Sequence, residues 1–193
     1  MMVMVGLRLM KSKLREELLK DLLRIVTRET HKLPEILANN FDLFKEQIVK
    51  FIQEEYQKPK ADYRLLCGCF LIIWRVSRDY PIVGDKTFRK LYPLLNKGLQ
   101  DKRISIKRLA TLSILNILCN IYPRYYFCKL SSNKDNLKEV DAEIRRLKKS
   151  IKSSIFLEIF YSLYPRQVDR QTVCQKAGIK EEVLAEVARC MLG

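Results

Sequence analysis

LYPLLNKGLQDKRISIKRLATLSILNILCNIYP, Leu91–Pro123, is the stretch whose reading decides the fold. Its first part carries apolar residues at helical spacing up to Leu99. The break DKRIS (Asp101–Ser105) follows. A strongly apolar run then reaches Tyr122-Pro123. Proline lacks an N–H and pushes the residue before it away from helical geometry. The spacing therefore predicts a helix, a short turn and a buried helix that stops near Tyr122.

Tyr-Pro recurs at Tyr80 and Tyr164, each 42 residues from Tyr122. Aligned backwards from these pairs, one column holds Ile72, Ile114 and Phe156, and the next holds Ile73, Leu115 and Leu157. Four positions after the first column stand Val76, Leu118 and Phe160. Apolar residues at i, i+1, i+4 and i+8 form one helix face. The repeat preserves a buried face as well as a dipeptide. Trp74, Asn116 and Glu158 share a column that accepts polar residues, so it is expected to be incompletely buried.

Upstream, a first helix is expected from a cap at Ser12 to about Thr30, with Leu14, Leu18, Leu22 and Ile25 on one face. Pro34 suits the first turn of a short helix. Phe44, Ile48, Phe51 and Ile52 mark a third, ended by KPKAD (Lys58–Asp62), and a buried helix runs from Tyr63 or Arg64 to Asp79. Downstream, Leu137, Val140, Ile144, Leu147, Ile151 and Ile155 stay in phase with no Gly or Pro between Asn136 and Leu163. One long helix or a hairpin both satisfy that pattern.

Helix pairs repeated at about forty residues are the signature of helical solenoids. Leu91–Pro123 resembles the HEAT repeat family in particular. The family places a proline in the first helix, an aspartate at its end, and an apolar and a basic residue opening the second. Pro93, Asp101, Ile106 and Lys107 hold those places here. The preceding unit carries Lys50 and Lys58 where the proline and aspartate would stand. The resemblance implies an all-α, right-handed superhelix of antiparallel helical hairpins. Residues 1–193 form a single helical domain in this reading: N-terminal capping helices over 1–40, repeats over 41–82 and 83–123, an irregular third unit over 124–165 and a C-terminal helical cap over 166–193.

The formal net charge is +15, from 37 basic and 22 acidic residues. Such an excess favours anionic partners. Cys67, Cys69, Cys119, Cys128, Cys174 and Cys190 lack the close spacing of zinc ligands, and His31 is the only histidine. Most of the cysteines sit in apolar helical runs, where a thiol acts as a small hydrophobe. Free thiols and a reducing intracellular compartment, nucleus or cytoplasm, are expected. The apolar stretch Leu65–Trp74 is half the length a bilayer requires, so no membrane insertion is expected.

No Gly-rich phosphate loop, nucleophile elbow or metal-ligand cluster is present in the sequence, so no catalytic residue, cofactor, metal or small-molecule substrate is expected. Some HEAT-like proteins are DNA glycosylases with aromatic-rich grooves, but this chain has only Trp74 as tryptophan. RQTVCQKAGIKEEVLAEVARCM, from Arg170, resembles a helix-turn-helix, with Cys174 four residues before Gly178. Glu181, Glu182 and Glu186 in its second helix would repel phosphate. A capping hairpin fits better.

Basic residues gather in three places: Lys58, Lys60 and Arg64; Lys102, Arg103, Lys107 and Arg108; and Arg145, Arg146, Lys148, Lys149 and Lys152. The first two sets fall at turns between paired helices, which a solenoid would stack into one ridge. Solubility alone also explains turn lysines. Trp74 is a candidate partner anchor if exposed, or a core residue if the N-terminal helices cover it. The expected function is a non-enzymatic scaffold or adaptor, bound to other protein subunits and to RNA or DNA through phosphate contacts. A peptide-binding superhelix, similar to RNA polymerase tail-interacting or sorting-peptide domains, is an alternative. A cyclin-like or helix-turn-helix transcription factor is another.

Overall fold

Nine α-helices and one short 3-10 turn make up the computed structural model, which describes residues 12–27, 32–78, 86–131, 134–151 and 154–180. No strand occurs among them. The chain divides after Val76 into two compact units.

In the first unit α1 (Ser12–Ile25), α2 (Leu33–Asn39) and α3 (Lys45–Glu55) all pack on α4 (Tyr63–Val76). The apolar face of α1 differs from the expected one. Leu19, Leu23 and Val26 are buried, while Leu14 and Ile25 are exposed. At 3.6 residues per turn the expected stripe and the buried residues Leu19, Leu23 and Val26 lie about 100° apart around the helix, so α1 packs through the neighbouring face. Pro34 lies in the first turn of α2, as its fixed φ favours. Phe44, Ile48, Phe51 and Ile52 are all buried. Gly68 explains why α1 packs so closely. A Cβ there would overlap the Leu23 carbonyl oxygen, and would lie 2.7 Å from its carbon and 3.1 Å from Val26 Cγ1.

In the second unit α5 (Lys86–Leu99), α7 (Lys134–Ser150), α8 (Ser154–Leu163) and α9 (Gln167–Ala177) surround α6 (Ile104–Leu130). Such a helix is apolar on most sides. Ile104–Ile121 is long and apolar enough to cross a membrane by composition, and half of it is buried by its neighbours. Among the described residues this is the one segment that passes that test.

Every member of the three apolar columns is buried: Ile72, Ile114 and Phe156; Ile73, Leu115 and Leu157; Val76, Leu118 and Phe160. In the polar column Trp74 and Asn116 are half-buried and Glu158 is exposed. The Tyr-Pro pairs behave differently. Tyr80-Pro81 and the Tyr122 side chain lie outside the described residues. The third pair ends α8 at Leu163, where the Arg170 guanidinium donates to the carbonyls of Tyr164 and Pro165 at 3.0 and 2.5 Å.

Pro123 does not end its helix. The backbone of α6 continues through it to Leu130, against the expected stop at Tyr122. A proline removes the single bond to the carbonyl four residues earlier. Extending an established helix is far easier than starting one, so the chain carries on. Pro93 likewise sits inside α5, on its exposed side.

The segment over 136–163 is two helices, α7 and α8. The helix-turn of Gln167–Gly178 is present too. Gly178 has φ 61°, and the N–H groups of Gly178 and Ile179 bond to the carbonyls of Gln175 and Cys174. That is a glycine-capped helix end. The second helix of the suspected helix-turn-helix, with Glu181, Glu182 and Glu186, lies outside the described residues. Cys67, Cys69, Cys119 and Cys174 are free thiols. His31, Lys152, Cys190 and the Cys128 side chain are outside them as well.

Candidate nucleic-acid interface

The turn after α3 is organised by a buried carboxylate. Glu55, 3% exposed, receives the Asp62 N–H at 2.7 Å and pairs with the Lys58 ammonium. Asp62 caps α4 by accepting the Leu65 N–H at 3.2 Å, and it takes the Arg24 guanidinium at 2.8 Å. Burial opposes ionisation of Asp62, but the hydrogen bonds from Arg24 and from backbone N–H groups outweigh it and hold its carboxyl below the usual range. Lys58 is thus part of a structural ion pair. Lys58, Lys60 and Arg64 are all exposed, and Lys58 is the one of them paired with Glu55.

The second basic set frames the start of α6. Lys102 and Arg108 are exposed, and Arg103 and Lys107 are half-buried. Asp101, 8% exposed, accepts the Arg103 N–H at 2.9 Å and lies 3.7 Å from its Nε. Asp101 therefore fixes the turn. No acidic residue stands in the first turn of α6. Cations there face the positive end of the helix, which costs about 0.3–1 kcal/mol each within the first turn.

The third set occupies the end of α7. Arg145, Arg146 and Lys149 are exposed and Lys148 is half-buried. Arg145 pairs with Asp141 at 2.7 Å. Lys148 and Lys149 lie in the last turn, where cations favour the helix dipole.

A ladder of polar side chains links α5 to α7. Arg89 pairs with Glu139 and with Glu143, the latter at 3.2 Å. The Tyr92 hydroxyl donates to Glu143 at 3.4 Å. The Ser150 hydroxyl donates to Asn96 Oδ1 at 2.5 Å. Numbers rise together on both sides, so α5 and α7 run parallel and finish side by side. Burial pushes the Glu143 carboxyl up, against the opposing pull of Arg89, and pushes the Tyr92 phenol up as well. The sequence signal for the ladder was Glu143 itself, a carboxylate in phase with buried Val140 and Leu147.

A carboxyl whose pKa is raised on folding binds its proton more tightly in the native state. Its contribution is complete below the unfolded pKa and is lost as pH rises through the folded one. Glu143→Gln should therefore gain stability relative to wild type between pH 4 and pH 7. Urea titrations at several pH values measure this. A difference that stays flat, or shrinks toward neutrality, contradicts it.

Comparison with family models, curated proteins and solved structures finds no match.

The remaining candidates follow from the geometry. Trp74 is half-buried, with the Arg75 guanidinium 5.2 Å from its ring centre. Among the described residues no group of three or more His, Cys, Asp or Glu is placed to hold a metal ion. The set Lys58, Lys60 and Arg64 belongs to the first unit, and the other two sets belong to the second.

Proposed function

We propose that this chain is a non-enzymatic scaffold or adaptor subunit that binds RNA or DNA through phosphate contacts made by the start of α6. The charge distribution carries this reading. Residues 86–134 contain eleven basic side chains and one acidic, Asp101, and Asp101 is buried in its own turn. Arg103 is held by Asp101, but Lys102 stands exposed at the end of α6 where its dipole disfavours a cation, so helix stability does not account for it. Contact with an anionic polymer would. Cations against a helix N-terminus suit phosphate, and contacts of this kind carry little sequence preference.

The helix order supports a HEAT-like arrangement as the architecture. The pairs α3/α4 and α5/α6 each pack as hairpins with short turns. In this reading the hairpins belong to a right-handed superhelix, which other protein subunits join. The free thiols suit a reducing compartment, nucleus or cytoplasm.

Lys102→Glu with Arg108→Glu tests the reading better than changes at Arg103 and Lys107, which are partly buried. The double variant should bind duplex and single-stranded oligonucleotides at least tenfold more weakly at 50 mM salt. Reversal of exposed Lys13 and Lys32, matched in charge, should do much less. Equal losses would reduce the attraction to net charge. No binding by wild type at low salt removes nucleic acid as the partner.

A further inference from the structure

We infer that α1 and α4 together present a docking face for an amphipathic helix of a partner protein, one that carries carboxylates beside its apolar stripe. This gives the adaptor reading its protein partner and rests on that part of it, not on phosphate binding at α6.

Gly68 marks the line where the two helices meet, since a Cβ there would overlap the Leu23 carbonyl oxygen and crowd Val26. The third helix lies to one side of that line. It packs on α4, and it reaches α1 through Lys50, which donates to Glu16 at 2.9 Å, and through Phe51, whose ring centre is 5.1 Å from the Lys20 ammonium. Around α1, Glu16 and Lys20 fall on one side of Leu23 and Val26, while Leu14, Leu18, Leu22 and Ile25 fall on the other. Around α4, the buried Leu65, Cys69, Ile72 and Val76 fall on one side of Gly68, while Tyr63, Cys67, Leu71 and Trp74 fall on the other. The covered side of both helices is the side of α3. The two remaining stripes therefore face the same way, across the seam from each other.

These stripes are not filled. Leu14 is 58% exposed, Ile25 42% and Tyr63 40%, and the other five residues are half-buried. Apolar stripes at helical spacing belong against a neighbour, and a contiguous apolar patch with a polar rim marks an interaction surface.

Charge selects the occupant. Arg64 and Arg75 lie about 40° and 20° from Gly68 around α4, toward its open stripe. Arg15 lies between Leu22 and Val26 around α1. The whole of α4 lacks an acidic residue, and Glu17 and Asp21 on the outer edge of α1 are paired with Lys20 and Arg24. Between the two stripes the charged residues are all basic. Residues 1–11 do not complement them, since they carry Arg8 and Lys11 and no carboxylate. A second copy does not either, because a two-fold interface brings one patch onto itself and would set the same arginines against each other. Four leucines offer nothing to a phosphate backbone. An amphipathic helix supplies apolar anchors at i, i+3, i+4 and i+7, and carboxylates on its flanks would meet the arginines.

Trp74 is the chain's one tryptophan, so its fluorescence reports on this face directly. Two synthetic peptides of about 15 residues serve as probes, with leucines at i, i+3, i+4 and i+7 and either glutamates or lysines beside them. The glutamate peptide should shift Trp74 emission to shorter wavelength and saturate. The lysine peptide should bind about tenfold more weakly. Leu14→Glu, at an exposed position, should weaken the glutamate peptide about tenfold, with circular dichroism melting as the check on folding. Arg64→Glu should weaken the glutamate peptide and strengthen the lysine peptide, a reversal that misfolding cannot produce. Lys102→Glu with Arg108→Glu should leave both peptides unchanged.

No shift of Trp74 with the glutamate peptide, or equal binding of the two peptides, overturns the inference. So does an equal loss in the Lys102/Arg108 variant, which would reduce the attraction to net charge. A single strand of about 20 nucleotides that displaces the peptide would make the face a nucleic-acid surface instead. A dimer by light scattering that Leu14→Glu turns into a monomer would assign it to a second copy. Binding seen only after Val3→Asp with Val5→Asp would assign it to the chain's own first residues. Each of these results leaves phosphate binding at α6 to its own test.

Discussion

Gly68→Ala should unfold or severely weaken the first unit. Helix propensity alone predicts the opposite, since alanine in a helix interior is favoured over glycine by about 1 kcal/mol. Packing decides the sign. The added methyl would overlap the Leu23 carbonyl oxygen and sit 2.7 Å from the carbonyl carbon. That neighbour is backbone, in the last turn of α1, and cannot swing aside as the tip of a side chain can. Either α1 moves away from α4, or both helices bend. Leu23, Val26 and Phe70 are buried and lose contacts if α1 shifts. Overpacking a tight core costs about 1–3 kcal/mol and occasionally more, so a net loss of about 2 kcal/mol or more is expected. Urea denaturation of the purified variant reads it directly. A gain in stability of the size that propensity predicts would show that α1 does not pack on Gly68.

Leu115→Ala should cost about 2–5 kcal/mol, the usual range for truncating a filled core leucine. Leu115 is 2% exposed and lies on α6, the helix that all the others of the second unit contact. Neighbours held on several sides cannot easily collapse into the space left by the lost methyls, which pushes the cost toward the upper end. Guanidine or thermal unfolding measures it. A loss below about 1 kcal/mol would contradict the central position of α6 and weaken the alignment of the three columns.

The columns themselves were legible without coordinates. Apolar residues at i, i+1, i+4 and i+8 can satisfy a core only as one helix face, and all nine side chains of these columns are buried. The turn at Asp101 was legible as the break DKRIS, but the hydrogen bond from the Arg103 N–H that fixes it was not read. The cap of α4 was not read. Asp62 does that work, although the repeat alignment had looked for an aspartate at Lys58. Capping is local to the helix it serves, and the turn before α4 is longer than a fixed repeat spacing allows.

The basic sets were visible as composition, but their value depends on partners far away in sequence. Lys58 was indistinguishable from Lys60 until the fold set a buried Glu55 against it. Arg145 was equally indistinguishable from Arg146 until the fold set Asp141 against it.

What the sequence determined by itself was the all-helical class, the core faces of the repeated helices and the excess of positive charge, because periodicity and composition are local properties. The tertiary structure alone decided which Tyr-Pro ends a helix, which face of α1 is buried and which cations are already paired. Each of these depends on side chains that meet only after distant helices have packed, and no spacing along the chain encodes that meeting.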